Sequence, residues 1–196
     1  MVNIISSLKL VAWQSMILLI MTTGSALAQT PLVNALQDGQ HILLMRHADA
    51  PGFGDPPNYQ LNDCNTQRNL GSLGIKQAKT IGDWLAKEGI SKARVLSSPW
   101  CRCIDTAHLL NKGDVTVEPV LGSFFDNTSQ ADIQTKGLRK LISRERQKNP
   151  RIPIIMVTHQ VNIGAFTGQT VGSGEMILVK VDPQGGYLAH QLYPSP

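Results

Sequence analysis

The stretch "HILLMRHADAPG", residues 41–52, carries four consecutive apolar side chains, Ile42 to Met45, straight into Arg46 and His47 and then a Pro-Gly turn. A short unbroken apolar run bounded by turn residues reads as a buried strand, here 41–45. Two further runs repeat the pattern. "ARVLSS" (93–98) ends on Ser97 and Ser98 and leads into "PWCRC", which contains Arg102. "IPIIMVTH" (152–159) ends on Thr158 and His159.

Amphipathic stretches separate these runs. "SLGIKQAKTIGDWLAKEG" places Leu73, Gln77, Ile81 and Leu85 near one helical face, with Gly89 as its stop. "CIDTAHLLN" reads as a helix and "VTVEP" as a short strand ended by Pro119. "SQADIQTKGLRKLISRERQK" predicts a long helix entered at Ser129 and stopped before Pro150. "EMILVKVDPQGGYLAHQL" predicts two strands around an Asp-Pro-Gln-Gly-Gly turn. The order β-α-β-α-β-α-β-α-β-β predicts an α/β fold. It is a three-layer α/β/α sandwich with a mostly parallel central sheet and an antiparallel tail on one edge. No repeat and no second domain is visible.

Composition is that of an ordinary globular protein of 196 residues with net charge +4. The densest basic stretch, "LRKLISRERQK", reads as the wet face of a helix, and no cluster interleaves basic with aromatic residues, which argues against a nucleic-acid partner. The N-terminus is distinct. Lys9 precedes an apolar run ending in Ala26-Leu27-Ala28, which predicts a signal peptide over 1–28, cleavage before Gln29 and a single domain over 29–196. The apolar core of that run is shorter than the ~20 residues needed to span a bilayer, so no membrane span is expected after cleavage. Export to the periplasm or beyond predicts that cysteines pair. Cys64 can reach Cys101 or Cys103; those two are too close in sequence to bridge each other comfortably, and the spacing leaves the choice open.

In parallel α/β sheets ligands collect at the C-terminal strand ends. Those ends would bring Arg46, His47, Arg102 and His159 to one mouth, with Arg68 of "TQRNLGSLG" as a further candidate. Several cations side by side ask for an anion, and phosphate matches the forked donors of Arg.

Four segments, "LLMRHADA", "RNLGSLGIKQA", "SSPWCRCIDTA" and "VTHQ", resemble in order and content the histidine phosphatase superfamily, which includes the phosphoglycerate-mutase-like enzymes. The resemblance spans Ile42 to about Gly168. It departs from the family at Ala48, where Gly is usual, and at Gly71, where Ser or Thr usually caps the helix and Ser72 is expected to substitute.

The resemblance implies a metal-independent phosphoric monoester hydrolase with no cofactor. His47 would be the nucleophile, forming a phosphohistidine, while Arg46, Arg102 and His159 grip the phosphoryl oxygens. Arg68, Asp49 and Gln160 are expected to add substrate contacts. The general acid is the open role. The usual Glu position, two after Leu121, is Ser123, which makes Asp126 the first candidate, with Asp49 and Glu175 as alternatives. The segment between His47 and Arg68 would cover the mouth, with Phe53 and Tyr59 as contacts. The expected partner is a phosphorylated small molecule or glycan, an envelope sugar phosphate among them. Rival readings are a phosphohistidine phosphatase and a non-catalytic binder of phospho-ligands. A Cys64 bridge would fasten two of the phosphate-binding segments together.

Overall fold

The computed structural model describes residues 31–196. The expected signal peptide and its cleavage point lie outside the described residues. Among those described, no helix is long and apolar enough to cross a membrane.

The chain runs α1 (Pro31–Leu36), β1 (His41–Arg46), α2 (Ser72–Lys87), β2 (Arg94–Ser97), α3 (Cys101–Leu109), β3 (Val115–Val117), α4 (Ala131–Lys148), β4 (Ile154–Thr158), α5 (Gln160–Thr167), β5 (Met176–Val181) and β6 (Tyr187–Tyr193). Six strands form one sheet in the order β3-β2-β4-β1-β5-β6. The pairs β1–β4, β2–β4 and β2–β3 are parallel, while β5 is antiparallel to β1 and β6 to β5.

Strand alternation builds the three layers, because successive side chains point to opposite faces. Leu43, Met45, Val95, Ile155 and Val157 pack with Leu36, Ile81, Leu85 and Ala107 of α1, α2 and α3. Ile42, Leu44, Leu96, Ile154 and Met156 pack with Leu138, Leu141, Ile142, Ile163 and Phe166 of α4 and α5. The unbroken apolar strands are the consequence, since both faces are covered.

Several local expectations need correction. Leu73 is 72% exposed, and the buried face of α2 is Gly74, Ala78, Ile81, Gly82 and Leu85. Helical spacing alone put Leu73 on that face. The first turn instead needs glycine there, because a Cβ on Gly74 would stand 1.9 Å from the Asp49 carbonyl oxygen. Ser72 does not cap α2. Gly71 holds the cap position and no side chain bonds the free N–H groups. A 3-10 turn over Thr128–Gln130 precedes α4, so the α-helix proper begins at Ala131, not Ser129.

Candidate active site

Register places the first two candidates side by side. Arg46 of β1 is level with Thr158 of β4, and the ladder continues one step further through His47 N–H donating to Thr158 O at 3.0 Å. His47 and His159 are therefore neighbours just beyond two adjacent parallel strand ends. Their ring centroids lie 5.5 Å apart with the planes tilted by 68°. Strand β2 ends beside them, and the turn that follows puts Arg102 in the first turn of α3.

The hydrogen bonds assign the state of each ring. His47 is buried, and its Nδ1–H donates to Ala48 O at 2.8 Å. That leaves the lone pair on Nε2, which accepts from Arg102 Nε at 3.2 Å. Ala48 is itself held by Thr106, whose Oγ1 accepts from Ala48 N–H at 3.0 Å. Burial above all lowers the His47 pKa. The Ala48 bond opposes the shift, and the charges of Arg102, Arg46 and Arg68 reinforce it, so the imidazole is pushed down to about 3. His47 is a neutral imidazole with an available nitrogen throughout the physiological range.

His159 is also buried, and burial again leads the causes that hold its pKa well below the ordinary value. Its Nδ1 lies 3.5 Å from Arg102 Nη2, and its Nε2 lies 2.8 Å from Ser98 Oγ. These partners place the proton on Nε2, which donates to Ser98. Trp100 packs edge-on against the same ring, with centroids 5.2 Å apart. The remaining thiol, Cys103, sits 3.5 Å from His159 Nε2, and burial pushes its pKa up to about 12. It is an inert neighbour at neutral pH.

Arg46 donates from Nη1 to Val171 O at 3.1 Å, while its buried Nε has no partner. A buried orphan donor is costly, and an arriving anion would satisfy it. A cleft of about 310 Å³ opens over these groups. Arg46, His47, Arg68, Arg102 and His159 line it, together with Asp49, Asp126 and Gln160. Asp126 stands exposed at the rim and Asp49 is half-buried. Glu175 does not line the cleft; its Oε2 accepts from Gly172 N–H at 2.6 Å. Arg68 turns its guanidinium to the backbone of the covering segment, donating to Ala50 O and, at 2.7 Å, to Gly54 O. Phe53 is 89% exposed and meets Phe125 edge-on across the mouth, with centroids 5.2 Å apart. Tyr59 packs on Trp100 and does not line the cleft.

The disulfide joins Cys64 to Cys101, with Cα atoms 5.7 Å apart, and leaves Cys103 free. It fastens the segment before Arg68 to the first turn of α3. Gln67 strengthens the joint, its Oε1 accepting from Cys101 N–H at 2.9 Å.

Sequence reasoning missed Asp55, Ser98 and Trp100 as parts of the site. Asp55 lies in a Pro- and Gly-rich stretch that reads as plain loop, and nothing in its immediate sequence signals a buried carboxylate. Ser98 was visible as a strand-end polar residue, but its bond to His159 depends on β2 and β4 being neighbours.

The model of the histidine phosphatase superfamily (branch 1) matches residues 42–122, the span holding Arg46, His47, Arg68 and Arg102. The matched span is less than half of the chain. Solved histidine-phosphatase-like structures share its fold. The protein histidine phosphatase SixA, complexed with tungstate, superposes with a TM-score of 0.53 at 18% identity over 78% of this chain and 96% of that one. A mycobacterial glucosyl-3-phosphoglycerate phosphatase complexed with VO3 gives 0.55 at 15% identity, covering 79% and 98%. A phosphoserine phosphatase from Entamoeba histolytica, in complex with 3-phosphoglyceric acid, gives 0.54 at 13% identity, covering 78% and 94%. No curated protein matches the sequence. His159 lies outside the matched span, and the register between β1 and β4 is what puts it beside His47.

Proposed function

We propose that this protein is a histidine phosphatase and hydrolyses a phosphomonoester without a metal, through a phosphohistidine on His47. The observation that carries the reading is the unprotonated Nε2 of His47, a residue that lines the cleft beside Arg102 and His159; it accepts from Arg102 Nε, a donor that an arriving phosphoryl oxygen takes over. Nε2 attacks phosphorus, the P–N bond forms, and the bond to the leaving oxygen breaks. The three non-bridging oxygens meet Arg46, whose Nε is unpartnered, and the Nε–Nη2 edge of Arg102. A phosphoryl group carries up to about two negative charges, which favours the protonated form of His159 and makes it a third cationic donor. Water then attacks the phosphohistidine and gives a proton to the carboxylate left by the general acid; the P–N bond breaks, releasing phosphate and regenerating the neutral imidazole.

Asp126 at the rim is the general acid of this proposal, giving its proton to the departing alkoxide. The organic part of the substrate lies against Phe53 and Phe125, whose exposed faces suit a sugar ring, and an envelope sugar phosphate is the substrate class this favours. Asp49 and Gln160 contact it from the cleft wall. The Cys64–Cys101 disulfide and the apolar N-terminal run support an exported, periplasmic enzyme.

The test is hydrolysis of an aryl phosphate in the presence of EDTA, with a panel of sugar phosphates alongside. His47→Ala is expected to abolish turnover, and rapid quench is expected to trap phosphate on His47. Turnover that survives His47→Ala overturns the mechanism, and an inactive wild type that still binds phosphate makes the protein a binder. Asp126→Asn should lower kcat about 100-fold on an alkyl phosphate and much less on an activated aryl phosphate. Equal losses on both would remove Asp126 as the acid.

A further inference from the structure

Arg102 is 3% exposed, and its guanidinium is shared between two sets of partners. Its Nε and Nη2 point at His47 Nε2 and His159 Nδ1, at 3.2 and 3.5 Å. Its Nη1 and Nη2 also meet the carboxylate of Asp55, at 2.8 and 3.1 Å. The Asp55 side chain is only 5% exposed. Every acceptor site facing the protein is used: Oδ1 also accepts from Arg68 N–H at 3.1 Å, and Oδ2 from Trp100 Nε1–H at 3.1 Å. Burial raises the carboxyl pKa, but the bonds from Arg102, Arg68 and Trp100 outweigh it and hold the group below the usual carboxylate range.

We propose that Asp55 is a positioning residue for the phosphatase reaction: it clamps the outer edge of Arg102 so that the Nε–Nη2 edge stands fixed between the two histidines, where the phosphoryl oxygens arrive. This rests on the proposed function of the cleft and adds to it a residue from the covering segment. The geometry separates clamp from competitor. A carboxylate that mimicked the phosphoryl group would lie on the edge facing the histidines. Asp55 holds the adjacent Nη1–Nη2 edge through the other Nη2 hydrogen, so its pairing and a phosphoryl group on the Nε–Nη2 edge are compatible. The pairing also neutralises a buried cation that Arg46 and Arg68 would otherwise repel. Three cross-links keep the clamp in place: Arg68 to Ala50 O and Gly54 O, Gln67 to Cys101 N–H, and the Cys64–Cys101 disulfide.

The test compares wild type with Asp55→Ala and Asp55→Asn for turnover of an aryl phosphate and, separately, for binding of inorganic phosphate by calorimetry. A loosened guanidinium is expected to lower kcat about 100-fold and to weaken phosphate binding in both variants. Asn keeps Oδ1 but sets an NH2 group against Arg102 Nη2 and Trp100 Nε1–H, so it should fail as Ala does. Added formate should restore part of the kcat of Asp55→Ala, which a loss of stability would not allow, and should leave Asp55→Asn unchanged. If Asp55→Ala does not fold, Asp55→Asn with a wild-type melting temperature decides alone. Turnover within twofold of wild type in a folded variant overturns the proposal. So does tighter phosphate binding in either one, which would make Asp55 a competitor for Arg102. A wild type that binds phosphate without hydrolysing it defeats the phosphatase reading, and the binding arm still tests the clamp.

Discussion

Substituting His47 by Gln should flatten the acid side of the stability profile. In the unfolded chain His47 takes a proton near its ordinary pKa of about 6.5. In the folded protein it stays neutral until about 3. Between those values the unfolded state binds the extra proton, so stability rises with pH through the window and is lost as pH falls through it. A shift of this size, at about 1.4 kcal/mol per pH unit, removes about 3 kcal/mol between pH 7 and pH 4. Gln has no such proton, so the wild-type stability should fall by about 3 kcal/mol more than that of the variant over the same interval. Urea unfolding at pH 4, 5, 6 and 7 measures the difference. A constant offset between the two proteins would refute the buried neutral imidazole. The same state predicts the acid limb of kcat/KM. With His47 already deprotonated, the limb should follow the second ionisation of the substrate phosphate, near pH 6, and move when substrates of different pKa are compared. A limb fixed near 6.5 for every substrate would assign it to the histidine.

Replacing both Cys64 and Cys101 by Ser opens a link spanning 37 residues. Loop entropy puts the loss at about 4 kcal/mol, or roughly 10 °C in melting temperature for a domain of this size. A calorimetric shift under 3 °C would contradict that. Arg102→Lys removes the planar fork that serves His47, His159 and Asp55 together, and kcat/KM should drop at least about 100-fold in a steady-state assay. Near-normal turnover would show that a point charge suffices. Ser98→Ala removes the acceptor that holds His159, and should reduce kcat by about tenfold with little change in melting temperature. Gly74→Ala forces a methyl group onto the Asp49 carbonyl and should destabilise the fold by about 2–3 kcal/mol, measured by denaturant titration.

The residues that carry the proposed chemistry were legible in the linear chain because strands buried on both faces leave a plain mark. Three apolar runs end on polar residues that an interior would not tolerate without a purpose, and helical stretches between them require parallel pairing. That was enough for the α/β sandwich, the order of its main elements, and the candidates Arg46, His47, Arg102 and His159. The same chain left Cys101 and Cys103 as equal partners for Cys64, since two residues along the sequence say nothing about which thiol the first turn of α3 turns toward Cys64. Leu73 was misplaced because helical periodicity does not reveal a backbone carbonyl packed at one turn.

What the sequence by itself determined is the layering and the inventory of cations at the strand ends, because these depend on local apolar periodicity. What only the tertiary structure decided is how those groups are held. The bond from Arg102 Nε to His47 Nε2, the bond from His159 to Ser98, and the carboxylate of Asp55 on Arg102 all join segments far apart in the chain. Their formation depends on strand register and on how one loop folds over another, and no spacing along the sequence encodes that meeting.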